Sequence, residues 1–293
     1  VFVYEEEVDG QWIQKFTNGA LYVPVGFRTV YSEAPVWSEF SPIYQGELKE
    51  LTTDEGLTFS YITGENLATL VKGDINLLRN KDLIIPSQIE ADGRMRYVKS
   101  IAKGAFRYAQ VKSLVIEPGI EIIEDEIFWN ANSSYWKNLI IPEGLTTIGE
   151  SAFRYCYSLK CLELPSTLTT IKDNAFGSDN RIKRVVVHME LPCTINDNMF
   201  DETVFASATL FVPIGSKEAY KNAAVWQNFS AIVILGDVDG DGDVDQKDID
   251  AIADHITGNT PPDFDENAAD INGDDKVNAT DIAMIVNIIN NTK

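Results

Sequence analysis

Apolar residues in the middle of this chain fall in short runs that return at a nearly fixed spacing, rather than in long 3.6-residue stripes. Between residues 98 and 213 a phenylalanine recurs at GAF 104–106, Phe128, SAF 151–153, NAF 174–176 and Phe200, with steps of 22, 25, 23 and 24 residues. Strand-like runs ending in proline lie between them: LVIEP at 114–118, LIIP at 139–142 and LELP at 162–165. Apolar pairs follow, such as Leu145 with Ile148 and Leu168 with Ile171. One strand and one tight turn per coil predict a solenoid, because a coil this short cannot bury its apolar side alone and must stack on its neighbours. At about 25 cal/mol per Å² of apolar area, that stacking is the main stabilising term.

A second, longer repeat frames the first. LYVPVGFRTVYSEAPVWSEFSPI at 21–43 matches LFVPIGSKEAYKNAAVWQNFSAI at 210–232, so that Pro24, Gly26, Tyr31, Ala34, Trp37, Phe40 and Ile43 recur 189 positions later. Residues 1–45 therefore read as the end of one unit and 46–235 as a second, which implies that the chain continues upstream. Tyr220, Trp226 and Phe229 are expected to cover the open end of the array.

The pattern changes after residue 235. GDVDGDGDVDQKDIDAIADHITG is followed at an offset of 33 by AADINGDDKVNATDIAMIVNIIN, and each acidic loop runs into a helical stripe: Ile249, Ile252, Ala253 and Ile256, then Ile282, Ile285, Val286 and Ile289. The two stripes should pack together. Oxygen donors at loop positions 1, 3, 5, 7, 9 and 12 can surround one Ca²⁺. In the first loop these are Asp237, Asp239, Asp241, Asp243 through its carbonyl, Asp245 through water, and Asp248 with both carboxylate oxygens. In the second they are Asp270, Asn272, Asp274, Lys276 through its carbonyl, Asn278 and Asp281. Two calcium ions are implied. Position 6 needs a left-handed backbone, which Gly242 supplies without strain and Asp275 at some cost, so the first site is expected to be the tighter.

Charge strengthens this division. The net charge is −21; residues 236–293 carry 15 acids and 3 lysines, the rest 30 acids and 21 bases. Nucleic acid and anionic membrane are poor partners for such a surface, and cations are good ones. No run is long and apolar enough for a transmembrane helix. Cys156, Cys161 and Cys193 have neither disulfide nor zinc spacing and read as buried thiols. His188 and His255 stand apart from any triad, and Glu124, Asp125 and Glu126 read as surface charge, so no catalytic site is expected.

The stretch NLIIPEGLTTIGESAFRYCYSLKCLELP at 138–165 resembles the leucine-rich repeats of BspA-like bacterial surface proteins, with Cys156 at the family's core cysteine position. The repeat around Phe128 departs from it, having Glu126 and Ile127 before the ring and a longer NANSSYWKN after it, which predicts a protruding loop. The acidic module resembles a type I dockerin, with Asp rather than Glu at position 12, and its wording is similar to dockerin-like tails of gut Bacteroidales proteins. Together these imply an α+β chain: the end of a preceding repeat unit at 1–45, a β-rich cap at 46–97, a BspA-like leucine-rich-repeat solenoid with its closing segment at 98–235, and a small all-α, EF-hand-like dockerin domain at 236–293.

The resemblances imply a non-catalytic, secreted or cell-surface adhesion or binding protein of a bacterium. Its module docks a protein partner, cohesin-like in cellulosome systems, or serves as a calcium-stiffened cap. Partner choice falls to Gln246 and Lys247 in the first half and Ala279 and Thr280 in the second, an inequality that argues against two equivalent binding modes. The repeats are candidates for a glycan or host protein, with Trp129 and Trp136 available for stacking but more at home in a core. The alternative is an accessory region of a larger exported polysaccharide-degrading enzyme or cellulosome-like complex.

Overall fold

Leu48–Thr52, Leu57–Ile62 and Leu67–Gly73 form an antiparallel meander that opens the described solenoid, the middle strand buried almost throughout and its neighbours more exposed. The computed structural model describes residues 47–131, 136–178 and 181–290 in full, together with the backbone of four strands between residues 2 and 45 and of residue 291. The expected protruding loop falls partly on residues 132–135, outside the described residues.

From the cap onward the strands run parallel, coil on coil. One sheet continues from Leu67–Gly73 through Arg94–Ile101 to the two-residue strands Ile122–Ile123, Thr147–Ile148 and Thr170–Ile171. A second face carries Asn138–Ile140, Cys161–Leu164, Arg184–Val187, Thr209–Val212 and Ala231–Ile234 in one five-stranded parallel sheet. The coils between residues 82 and 171 thus have two strands each, not the single strand read from the sequence, while Arg184–Val187, Thr209–Val212 and Ala231–Ile234 stand alone in theirs. The apolar pair after each proline is long enough to pair with the coil before it, as in Ile122 opposite Thr147. Ser113–Ile116 pairs instead with Asp82–Ile85, so the ladder on this face is interrupted where the sequence lengthens after Phe128.

The recurring phenylalanines form the spine. Phe106, Phe128, Phe153, Phe176 and Phe200 stack face to face with centroids 5.0, 5.7, 5.5 and 5.6 Å apart. Their backbone makes a parallel ladder: Phe106 N–H donates to Ile127 O, Phe128 to Ala152 O and Phe153 to Ala175 O. Such a close stack requires a sharp turn on each side of the ring. Gly104, Glu126, Ser151 and Asn174, two residues before it, and Tyr108, Asn130, Tyr155 and Ser178, two after it, all adopt positive φ. Gly73 makes room for the first ring, since a Cβ there would lie 2.3 Å from Phe106 Cε1. The last ring, Phe200, meets Phe205 and Phe229 edge-on, and Tyr220 and Trp226 are fully buried beside them, closing the apolar end.

Three short helices belong to the closing segment and the module: α1 (Glu202–Ser207), α2 (Lys217–Asn222) and, after α3 (Gln246–Ile256), α4 (Glu266–Ala269). The chain ends in α5 (Ala279–Asn291). Leu21–Val23 pairs in parallel with Ile43–Gln45, Leu21 opposite Ile43, as Leu210 lies opposite Ile232. The long sequence repeat is therefore also a repeat of strand pairing.

Candidate metal centre

Each acidic loop is closed by a carboxylate in the first turn of the following helix. In the first, Asp245 caps α3 by accepting from Lys247 N–H at 2.7 Å, and the capping box is completed by Asp248, whose Oδ2 accepts from Asp245 N–H at 2.8 Å. The other oxygen, Oδ1, accepts from Val238 N–H at 2.7 Å and Asp239 N–H at 3.2 Å. The second loop repeats this wiring: Asp281 Oδ1 accepts from Ile271 and Asn272, and Oδ2 from Asn278 N–H at 2.9 Å. Position 12 thus ties the start of each loop to its end.

The loop openings are equally alike. Asp237 accepts from Gly242 N–H, and Asp270 accepts from Gly273, Asp274 and Asp275 N–H. Gly242 has φ +98° and Asp275 φ +64°, so position 6 is left-handed in both loops, at a strain cost only in the second.

Asp237, Asp239 and Asp248 each place an oxygen within 4.8 Å of the others, the one such gathering among the described residues. Asp237 and Asp248 are 2% and 1% exposed. Burial raises both carboxyls above their ordinary range, against the opposing pull of backbone N–H donors. Asp270 is raised for the same reason, with Arg184 the main opposing influence. Buried carboxylates with no ammonium among their hydrogen-bond partners are costly unless a cation joins them. The donor set is all oxygen, which suits a hard divalent ion.

The remaining sequence candidates lie farther out. Asp241 turns to Lys247, whose Nζ donates to its Oδ2 at 2.7 Å and holds its carboxyl below the usual range. Asp243, Asp274 and Lys276 are exposed, Asn272 contacts Asp274 at 3.4 Å, and Asn278 accepts from Thr280 N–H at 2.9 Å. Gln246, Lys247, Ala279 and Thr280 all stand exposed in the first turns of α3 and α5.

The helix stripes are narrower than the sequence suggested. Ile252 and Ile285 are fully buried, but Ala253, Ile256 and Val286 face outward. The space they were expected to fill is taken by Val238, Val244, Ala251, Ala268, Ala269 and Ile271, because the small module buries its loops and α4 against the helices as well. Trp136 belongs to the core, packed edge-on to Phe128 and Phe153, whereas Trp129 is partly exposed between Tyr108 and Tyr155. His188 was read as isolated, yet its Nε2 lies 2.7 Å from Glu163 Oε1 on the neighbouring strand.

Residues 99–223 match the BspA type leucine rich repeat region in six copies, and residues 235–290 match the dockerin type I domain. No curated protein matches the chain. Similar solved structures include a leucine-rich cell surface protein from Faecalibacterium prausnitzii, 17% identical, covering 56% of this chain and 54% of its own, with a TM-score of 0.39. A leucine-rich repeat protein from Bacteroides ovatus is 19% identical over 56% of this chain and 47% of its own, with a TM-score of 0.37. One from T. pallidum is 17% identical over 72% and 96%, with a TM-score of 0.47. The chain spans about half the length of the first two. Both module types are non-catalytic and typical of extracellular or cell-surface bacterial proteins, and dockerins of this type bind calcium. No helix among the described residues is long and apolar enough to cross a membrane.

Proposed function

We propose that this chain, in which BspA type leucine rich repeats at 99–223 are joined to a dockerin type I domain at 235–290, is a non-catalytic binding protein whose two-calcium module docks a protein partner. The observation that carries this reading is the matched pair of closing carboxylates, Asp248 and Asp281, each buried and each bonded to both ends of its loop. Asp237, Asp239, Asp241, Asp243, Asp245 and Asp248 would hold one ion; Asp270, Asn272, Asp274, Lys276, Asn278 and Asp281 the other. Gln246, Lys247, Ala279 and Thr280 would meet the partner, a cohesin-like domain being the first to try.

Calorimetric titration of the full chain tests the metal reading. Two ions bind to the wild type, and Asp248→Ala and Asp281→Ala each lose one. A chain that binds no calcium would sink it. Docking is tested separately, by retention of a cohesin domain on the immobilised chain in calcium and its release in EDTA.

The repeats support a second binding role. Tyr108, Trp129 and Tyr155 form an edge-to-face aromatic row with centroids 5.2 and 5.5 Å apart, flanked by Arg107 and Arg154. It offers stacking area to a glycan or host protein. Trp136, being buried, does not take part.

A further inference from the structure

The two metal loops differ in what lies outside them. Gly240 and Gly273 hold the same position in the 33-residue repeat, with φ +73° and +69°. A Cβ on Gly240 would meet nothing within 4 Å, whereas one on Gly273 would lie 3.1 Å from Arg184 Cδ and 3.6 Å from Cys161 Sγ. The second loop therefore rests on the repeat sheet, and the first stands clear of it at this position.

Arg184 is the centre of that contact. Its guanidinium lies over the Phe211 ring at 4.0 Å and donates to Asn267 O at 3.3 Å and Ile271 O at 3.2 Å. Cys161 Sγ lies 4.0 Å from Gly273 O. Lys137, Lys160 and Lys183, each just before its strand on successive coils, line a cleft of about 530 Å³ whose opposite side carries Glu266, Asp270, Asp274 and Asp275. In a chain of net charge −21, a lysine stripe facing an acidic loop is a matched surface.

We infer that the second calcium site is a composite one: Arg184 and the lysine stripe of the repeats hold its loop, so that calcium binding at Asp270–Asp281 and docking of this loop onto the sheet are a single coupled equilibrium. The inference rests on the calcium reading given above. Two opposing effects decide its sign. Calcium neutralises the acids that attract the lysines, but those lysines are exposed and screened. One Arg184 bond reaches Ile271 O inside the loop and the other Asn267 O in the helix just before it, so ordering of the loop by calcium fixes the first acceptor and favours docking. By linkage, docking then favours calcium by the same factor.

Cys161 reports the contact, because its half-buried thiol lies against Gly273 and docking of the second loop should shield it from alkylation. Iodoacetamide labelling of the full chain, read at Cys161 by peptide mass spectrometry, is expected to slow about tenfold on adding calcium, within the usual range of coupling between sites. Arg184→Ala should label quickly with and without calcium while calorimetry still finds bound ion. Asp281→Ala and Gly273→Ala should lose the protection, and Gly240→Ala, the same change in the first loop, should keep it. A Cys161 rate that ignores calcium in a wild-type chain shown calorimetrically to bind two ions overturns the coupling and leaves the calcium reading standing. Equal loss of protection in Gly240→Ala and Gly273→Ala also overturns it.

Discussion

His188 shows at the scale of one residue what coil stacking adds to sequence. In the chain it is 25 positions from Glu163, yet the parallel pairing of Cys161–Leu164 with Arg184–Val187 sets the two side chains on adjacent strands, 2.7 Å apart. The hydrogen bond to Glu163 raises the His188 pKa above 6.5, against the lowering effect of burial. A histidine with a raised folded pKa contributes stability that is fully present below its unfolded pKa, near 6.5, and is lost as the pH rises through the folded value. Glu163→Gln is therefore expected to destabilise the protein more at pH 6 than at pH 8. Its His188 ring resonances should titrate at a lower pH than in the wild type. Equal destabilisation at the two pH values would remove the pair from the account. The carboxylates of the metal loops are legible without any such register, because Asp237, Asp239 and Asp248 are close in sequence and a turn alone can gather them.

Elements of the solenoid were legible where their residue types repeat and hidden where only their conformations do. The phenylalanine spacing announced the stacked spine, and proline marked the strand ends. The left-handed residues after the first four rings did not announce themselves, because Tyr108, Asn130, Tyr155 and Ser178 are of three different types and none is glycine. What the first three share is a backbone bond: Tyr108 N–H donates to Trp129 O, Asn130 to Arg154 O and Tyr155 to Gly177 O, each one coil onward. Gly73 was equally silent, since its role is to leave space for a ring 33 residues away. Two outcomes follow from this packing. Phe153→Ala removes a fully buried ring from between Phe128 and Phe176 and should cost about 3–5 kcal/mol in chemical denaturation. Gly73→Ala must displace Phe106 from the head of the stack, and overpacking of this kind costs about 1–3 kcal/mol. A Phe153→Ala midpoint equal to that of wild type would mean that the stack is not the source of stability.

For the whole molecule, the contrast that matters is between a repeat core held by apolar stacking and a small module that buries carboxylates. The repeat region buries a continuous apolar spine from Phe59 to Trp226, closed at one end by a meander and at the other by aromatic rings. The module has a small apolar centre around Ile252 and Ile285, and it buries Asp237, Asp248, Asp270 and Asp281 beside it. Removing cations leaves those carboxylates in a low-dielectric setting, offset by N–H dipoles, by Lys217 near Asp237 and by Arg184 near Asp270. Calorimetric scans of the full chain should then show two transitions in EDTA, the lower from the module and the upper from the repeats. Calcium at 100 times its dissociation constant adds about 2.7 kcal/mol per site to the module alone, so the lower transition should climb toward the upper one while the upper stays in place. The second loop sits on Arg184, so Asp281→Ala should in addition loosen the sheet around Cys161, an effect visible in hydrogen exchange of Cys161–Leu164 and Arg184–Val187 and absent in Asp248→Ala. A single transition that moves as one body with calcium would show instead that repeats and module fold as one cooperative unit, with the ions stabilising both.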